Sequence, residues 1–109
     1  YTWEELGPFR EGLARAQNQD GGWGYLDRTG QPAIAPQFVE AGDFRDGLAR
    51  VKLSGDDISP VAFIDRTGRQ VLGPYNDAQD FANGVAKVEE FGTTRLVDRS
   101  GKTVKAFGF

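Results

Sequence analysis

Apolar and polar positions along this chain recur on a long period. The octet Phe9-Arg10-Glu11-Gly12-Leu13-Ala14-Arg15-Ala16 returns as Phe44-Arg45-Asp46-Gly47-Leu48-Ala49-Arg50-Val51 and again as Phe81-Ala82-Asn83-Gly84-Val85-Ala86-Lys87-Val88, with starts 35 and 37 residues apart. A fixed spacing of that size marks a tandem-repeat protein, so the repeat is placed before any single element. Inside the second copy Ala49, Val51 and Leu53 alternate with Leu48, Arg50 and Lys52. That period-2 pattern predicts a strand with one wetter face, turned in by the Phe and Gly that precede it.

After a variable loop (17–22, 54–60, 89–93) each repeat runs into a second apolar stretch that ends in a shared turn. The stretches are Trp23-Gly24-Tyr25-Leu26-Asp27-Arg28-Thr29-Gly30, Phe63-Ile64-Asp65-Arg66-Thr67-Gly68 and Leu96-Val97-Asp98-Arg99-Ser100-Gly101. Aspartate bonds local turn amides and glycine accepts positive φ, so Asp27, Gly30, Asp65, Gly68, Asp98 and Gly101 are assigned as structural turn residues. Trp23 and Tyr25 oppose Leu26 across this middle strand, and Val61 and Phe63 oppose Ala62 and Ile64. Apolar residues on both faces predict a strand covered on both sides, hence repeats that stack. A third short strand is expected at 31–34, 70–72 and 102–106, stopped by Pro36 and Pro74 in the first two repeats because proline lacks the amide a ladder needs. The links that follow place Phe38 three residues before Ala41 and Tyr75 three before Ala78, the spacing of one helical turn.

The prediction is an all-β domain over residues 1–109, built as three tandem three-stranded antiparallel meanders (9–43, 44–80, 81–109) of about 36 residues in an open stack. A propeller typically needs at least four blades, so a partial propeller or a barrel-like wrap is the alternative. Residues 1–8 are expected to be the tail of a preceding repeat or a frayed end, with Tyr1 standing before Phe9 as Phe38 stands before Phe44. The last repeat lacks the link and ends in Ala106-Phe107-Gly108-Phe109, as a terminal cap would.

Taken together, Phe-x-x-Gly-Leu-Ala-x-Val, Trp-Gly-Tyr-Leu-Asp-x-x-Gly and Ile-x-Pro-x-Phe-x-x-Ala-x-x-Phe resemble the bacterial WG-repeat family, named for a pair such as Trp23-Gly24. The second and third repeats depart from it, with Val61-Ala62 and Thr94-Arg95 at that place. The resemblance implies β-rich tandem repeats in bacterial proteins, often exported, mostly of unknown role and read as interaction modules. It supplies no catalytic residue.

Composition removes more functions than it suggests. Thirteen basic against sixteen acidic residues give a net charge of -3, which argues against a general grip on nucleic acid or anionic lipid. With no histidine and no cysteine, the commonest general base, the commonest zinc ligand and all thiolate chemistry are missing. Apolar runs fall far short of the ~20 residues of a membrane span, so no membrane insertion is expected. The first residue is Tyr and methionine is absent throughout, so the chain is expected to be a processed or trimmed piece, its compartment, bacterial envelope or cytoplasm, left open.

Asp27, Asp65 and Asp98 recur at equivalent positions and invite comparison with calcium ligands. Calcium takes six to eight oxygens from a tight acidic loop, whereas each of these turns offers one Asp followed by Arg28, Arg66 or Arg99, so turn capping is preferred. Asp56-Asp57 reads as a solvated loop tip and Glu89-Glu90 as a strand end. Gly21-Gly22-Trp23-Gly24 has no following helix or Lys-Ser/Thr, so it is a hairpin turn and no phosphate cradle. Trp23, Tyr25 and Tyr75 sit at repeat positions and are assigned to the core. Trp3, Phe91, Phe107 and Phe109 fall off the repeat pattern and are the candidates for a partner surface.

The expected function is a non-catalytic protein-protein interaction or scaffold module with no cofactor, metal or catalytic residue. Its sheet edges offer pairing to another protein chain or, in a homo-oligomer, to a second copy. The alternatives are a glycan or cell-wall binding module and, last, a hydrolase using paired carboxylates.

Overall fold

A computed structural model describes residues 3–53 and 60–107. Twelve strands fill it, with no helix among the described residues: β1 Glu5–Arg10, β2 Leu13–Gln17, β3 Trp23–Leu26, β4 Pro32–Phe38, β5 Glu40–Ala41, β6 Ala49–Lys52, β7 Val61–Ile64, β8 Gln70–Tyr75, β9 Asp77–Ala78, β10 Val85–Glu90, β11 Thr93–Asp98 and β12 Thr103–Phe107. They form three antiparallel four-stranded meanders, β1 to β4, β5 to β8 and β9 to β12, each in sequence order. The sheets lie in an open stack with overall extents of 49 × 29 × 19 Å, not in a closed barrel.

Each sheet therefore has one strand more than expected, and the extra strand is the link. The links make no helical turn. Val39 and Gly42 donate their N–H groups to the carbonyls of Lys52 and Arg50, and Asn76 and Gln79 donate to Glu89 and Lys87, so the link backbone is used up in pairing with the following strand. A bend at Val39 separates β4 from β5. It turns the chain between sheets and lets Phe38 and Ala41 both face inward without helical periodicity.

The prolines do not stop the third strands either: Pro36 lies within β4 and Pro74 within β8. Both are edge strands, where a missing donor is tolerated, and both ladders shift register nearby. Residues 5–10 form the first strand of the first sheet, in the place that β5 and β9, the links out of the preceding repeats, hold in the later sheets.

Register places Trp3 within the repeat. Glu5 pairs with Gln17 as Glu40 pairs with Lys52 and Asp77 with Glu89, so Trp3, Phe38 and Tyr75 each stand two residues before an equivalent position. Tyr1, which the spacing argument favoured, lies outside the described residues.

Alternation now accounts for two cores. In the middle sheet Ala49, Val51, Ala62 and Ile64 face the first sheet, joining Leu13, Trp23, Tyr25, Ile34, Phe38 and Phe44. The opposite face sends Leu48, Val61, Phe63, Leu72 and Tyr75 against Ala78, Phe81, Ala86, Val88 and Val97. Hence β3 and β7 are buried at every residue, as both-sided patterning predicts, while β11 buries only Val97. In the last sheet Thr94 stands where Trp23 and Val61 do, and Lys105 where Ile34 and Leu72 do, which makes its outer face polar.

The seams between layers repeat their contacts. Tyr25 meets Phe44 edge to face at 4.8 Å and Phe63 meets Phe81 at 4.9 Å. The two-residue turns Glu11-Gly12, Asp46-Gly47 and Asn83-Gly84, all with positive φ, form a ladder. Within it Gly47 N donates to Glu11 Oε1 at 2.9 Å and Gly84 N to Asp46 Oδ2 at 2.8 Å. Arg15 reaches Asp43 at 3.0 Å and Arg50 reaches Asp80 at 3.2 Å, again one layer apart. Tyr25 adds a hydroxyl bond to the Gly42 carbonyl at 2.7 Å, which Phe63 cannot copy.

The Trp-Gly pair has a packing reason. A Cβ on Gly24 would stand 2.7 Å from Pro36 N and 2.8 Å from the Ala35 carbonyl carbon, so β3 and β4 approach too closely for a side chain. In the second sheet the position holds Ala62, and the glycine has crossed to the partner strand. Gly73, with φ 99°, would put its Cβ 3.0 Å from Val61 O and 3.1 Å from Ala62 Cα. One glycine per close approach suffices, on either strand.

Gly68→Val should lower stability by about 1–3 kcal/mol, since a side chain there adopts φ 91° and also meets Ile34 Cγ2 at 3.2 Å. Gly84→Ala, with φ 83° and nothing within 4 Å, should lose the backbone part alone. Urea titration of both variants beside the parent checks this, and a Gly68→Val midpoint equal to the parent's would refute the packed turn. Tyr25→Phe should destabilise by about 0.5–1.5 kcal/mol by stranding the Gly42 carbonyl, read in the same titration.

Candidate functional site

Antiparallel meanders put alternate turns at opposite ends, and the contacts across the seams hold the three sheets in parallel orientation. One end of the stack thus collects the two-residue turn ladder and the Asp-Arg-Thr/Ser-Gly turns, and the other collects the β2–β3 and β10–β11 connections. The first end is structural. In the first sheet Thr29 N, Thr29 Oγ1 and Gln31 N all donate to Asp27 Oδ1. Asp65 and Asp98 accept the same three bonds in their own turns. The hydroxyl of Thr29, Thr67 or Ser100 is the main reason that all three carboxyls titrate below the ordinary aspartate range, with backbone N–H groups adding to it. The turn residues are therefore capping groups, as their chemistry suggested.

Other carboxylates lie in ion pairs: Asp43 with Arg15, Asp80 with Arg50, Glu40 with Lys52 and Glu90 with Arg95. Among the described residues no three of Asp, Glu, His or Cys gather closely enough to hold a metal ion. Trp23, Tyr25 and Tyr75 are buried, as assigned. Burial, and secondarily the Asp43 carboxylate, push the Tyr25 phenol well above its ordinary range.

The partner-surface candidates do not form one patch. Phe109 and Asp56-Asp57 lie outside the described residues, and Phe107 is described by its backbone alone, at the end of β12. Trp3 is half-buried at the repeat position it shares with Phe38 and Tyr75.

Phe91 is different in kind. Its side chain is 92% exposed. Glu90 pairs with Thr93, so Phe91-Gly92 is a two-residue hairpin turn, and both residues have positive φ, 49° and 80°. Such turns favour Asn-Gly, and a bulky residue in the first place is a strained choice. Asn76 Oδ1 fixes the tip by accepting from Phe91 N at 2.8 Å. A shallow cleft of about 190 Å³ opens beside the ring, lined by Pro60, Pro74, Tyr75, Asn76, Glu90 and Phe91. Arg95 lies 5.9 Å from the centre of the Tyr75 ring and pairs with Glu90 at 2.6 Å, so it bridges two residues that line the cleft.

Spacing alone pointed to Phe91 but not to this cleft. The signal present was Glu90-Phe91-Gly92-Thr93 between two alternating runs, a two-residue hairpin motif with an out-of-place Phe.

A stack of small β-sheets joined by equivalent seams defines a β-repeat protein. The chain belongs to the WG containing repeat family, whose model matches residues 2–22, 23–55 and 62–90. A search of curated proteins finds no match. The matched units are offset from the sheets: 2–22 holds β1 and β2 alone, whereas 23–55 contains β3 to β6 and 62–90 runs from β7 to β10, so these two each give two strands to one layer and two to the next.

The turn carboxylates set an acid limit on the fold. Their folded pKa values are depressed, so the stability they contribute is complete above the unfolded aspartate pKa of roughly 4 and is lost as pH falls through the folded values. Melting temperature should decline below pH ~4, and Asp27→Asn/Asp65→Asn/Asp98→Asn should flatten that decline. An unchanged slope in the triple variant would place the acid sensitivity elsewhere.

Proposed function

We propose that this domain is a non-catalytic protein-binding module whose contact point is the β10–β11 hairpin tip at Phe91. The observation that carries this is a large apolar ring held in solvent, 92% exposed, on a backbone conformation that penalises it. Strained residues persist where the surrounding structure holds them and function needs them, and an exposed aromatic beside a proline-lined cleft suits an anchor in a partner's pocket. The consumption of the described turn and seam carboxylates by capping and ion pairing supports a binding role over a hydrolytic one. Glycan recognition receives less support, because Trp23, Tyr25 and Tyr75 are packed in the cores and offer no stacking platform.

Phe91→Asn separates binding from stability. Asparagine tolerates positive φ, so this variant should be more stable than the parent by about 1 kcal/mol, while Phe91→Ala should gain less. Both should lose a protein that the parent captures from bacterial extract at stoichiometric yield. If both variants keep the same captured protein at the parent's yield, or the captured material is glycan, the protein-anchor role falls.

A further inference from the structure

We propose that β12 is a docking edge that accepts an extended acidic segment of a partner protein as a fifth strand of the third sheet. This rests on the protein-binding role above and specifies a second contact for it. The fourth strands of the three sheets can be compared position by position from their turn glycines. Pro32 and Pro36 lie two and six residues after Gly30, and Pro74 lies six after Gly68. The matching positions after Gly101 are Thr103 and Phe107. Proline on an edge removes the N–H that another strand would use, so β4 and β8 are blunted and β12 is not.

The opposite edges are blunted too: β1 carries Pro8, and β5 and β9 are two residues long. The β12 ladder shares one register shift with its siblings, between Leu96 and Val97, and lacks their other one. Arg95 pairs with Ala106 and Thr94 with Phe107, whereas Gly24 and Ala62 sit at irregularities. Thr103, Val104, Lys105 and Ala106 are all exposed.

Charge selects the occupant. Residues 90–107 hold Arg95, Arg99, Lys102 and Lys105 against Asp98 and Glu90, the latter paired with Arg95, a net charge of +2 in a chain whose total is -3. An incoming strand therefore meets a basic hairpin on an otherwise acidic molecule. Pairing of β12 with β12 of a second copy would set like charges at Lys102 and Lys105 against each other, which disfavours the self-paired dimer. The edge also ends near the tip: Phe107 pairs with Thr94, three residues from Phe91, so one partner can run along β12 and seat on the ring.

The test uses the isotope-labelled domain and three synthetic peptides: alternating Glu-Val, the same peptide with Lys for Glu, and the Glu-Val peptide with N-methylated backbone. The Glu-Val peptide should shift and protect the amides of residues 103–107, with the other two at least about tenfold weaker. Phe107→Pro, which copies β4 and β8, should weaken Glu-Val binding by about tenfold, whereas Phe107→Ala, which keeps the N–H, should not. Lys102→Glu/Lys105→Glu should reverse the preference toward the Lys peptide, and decides the matter if Phe107→Pro fails to fold.

Equal binding of the acidic and basic peptides, amide shifts confined to other strands, or a β12-paired dimer in sedimentation would each overturn the proposal. Phe91→Asn should leave the short peptide's affinity within about twofold, because the peptide uses the edge alone. Loss of the captured protein in Phe91→Asn with the peptide response absent sinks the edge and spares the anchor. The reverse pattern sinks the anchor and spares the edge.

Discussion

Every layer of this protein depends on an edge-to-face aromatic pair formed across a seam. Tyr25 on Phe44 and Phe63 on Phe81 are the same contact one repeat apart. A four-stranded sheet of such short strands cannot bury a face by itself, so each layer is stable only when its neighbour supplies the facing aromatic. Phe9 shows the rule by exception. It is the counterpart of Phe44 and Phe81, which are 1% exposed, yet Phe9, on the outer face of the first described sheet, is 45% exposed.

Around that pair the other seam contacts act as register pins. The Glu11–Gly47 and Asp46–Gly84 bonds fix one end of adjacent sheets, and Arg15–Asp43 and Arg50–Asp80 fix their flanks. The ion pairs are partly solvated and contribute roughly 0–1 kcal/mol each. Their role is to select one stacking offset among several that the apolar faces would accept. The wandering glycine, at Gly24 in one sheet and Gly73 in the next, shows how loosely the signature pair constrains the sequence once the backbone approach is preserved.

Much of the fold was legible because β-patterning and turn chemistry are local. The two-sided apolar runs at Trp23–Leu26 and Val61–Ile64, the Asp-capped turns and the stacked repeats follow from side chains within a few residues of each other. The link was misjudged because an aromatic and an alanine three apart satisfy a helical turn as well as a strand broken by a bend, and only hydrogen bonds to Arg50 and Lys52 decide between them. Pro36 and Pro74 misled for a related reason: whether a proline ends a strand depends on whether that strand lies at an edge, which is a property of the sheet. Phe91 was visible as an aromatic out of pattern. Its cleft was not, since Pro60, Pro74 and Asn76 reach it from the start of β7, from β8 and from the link after β8.

The offset between family unit and sheet changes what a layer is. Because residues 23–55 begin in one sheet and finish in the next, the chain crosses each seam within a single unit, as bricks overlap in a running bond. No sheet is the product of one unit, so cutting the array at a unit boundary would leave half-sheets with raw ladders. Lengthening by whole units, in contrast, regenerates the same seam each time and exposes no new kind of surface. Such a body grows or shortens by duplication of whole units without redesigning its ends, and a plane that parts two layers meets one covalent crossing, at the link between β4 and β5 or between β8 and β9.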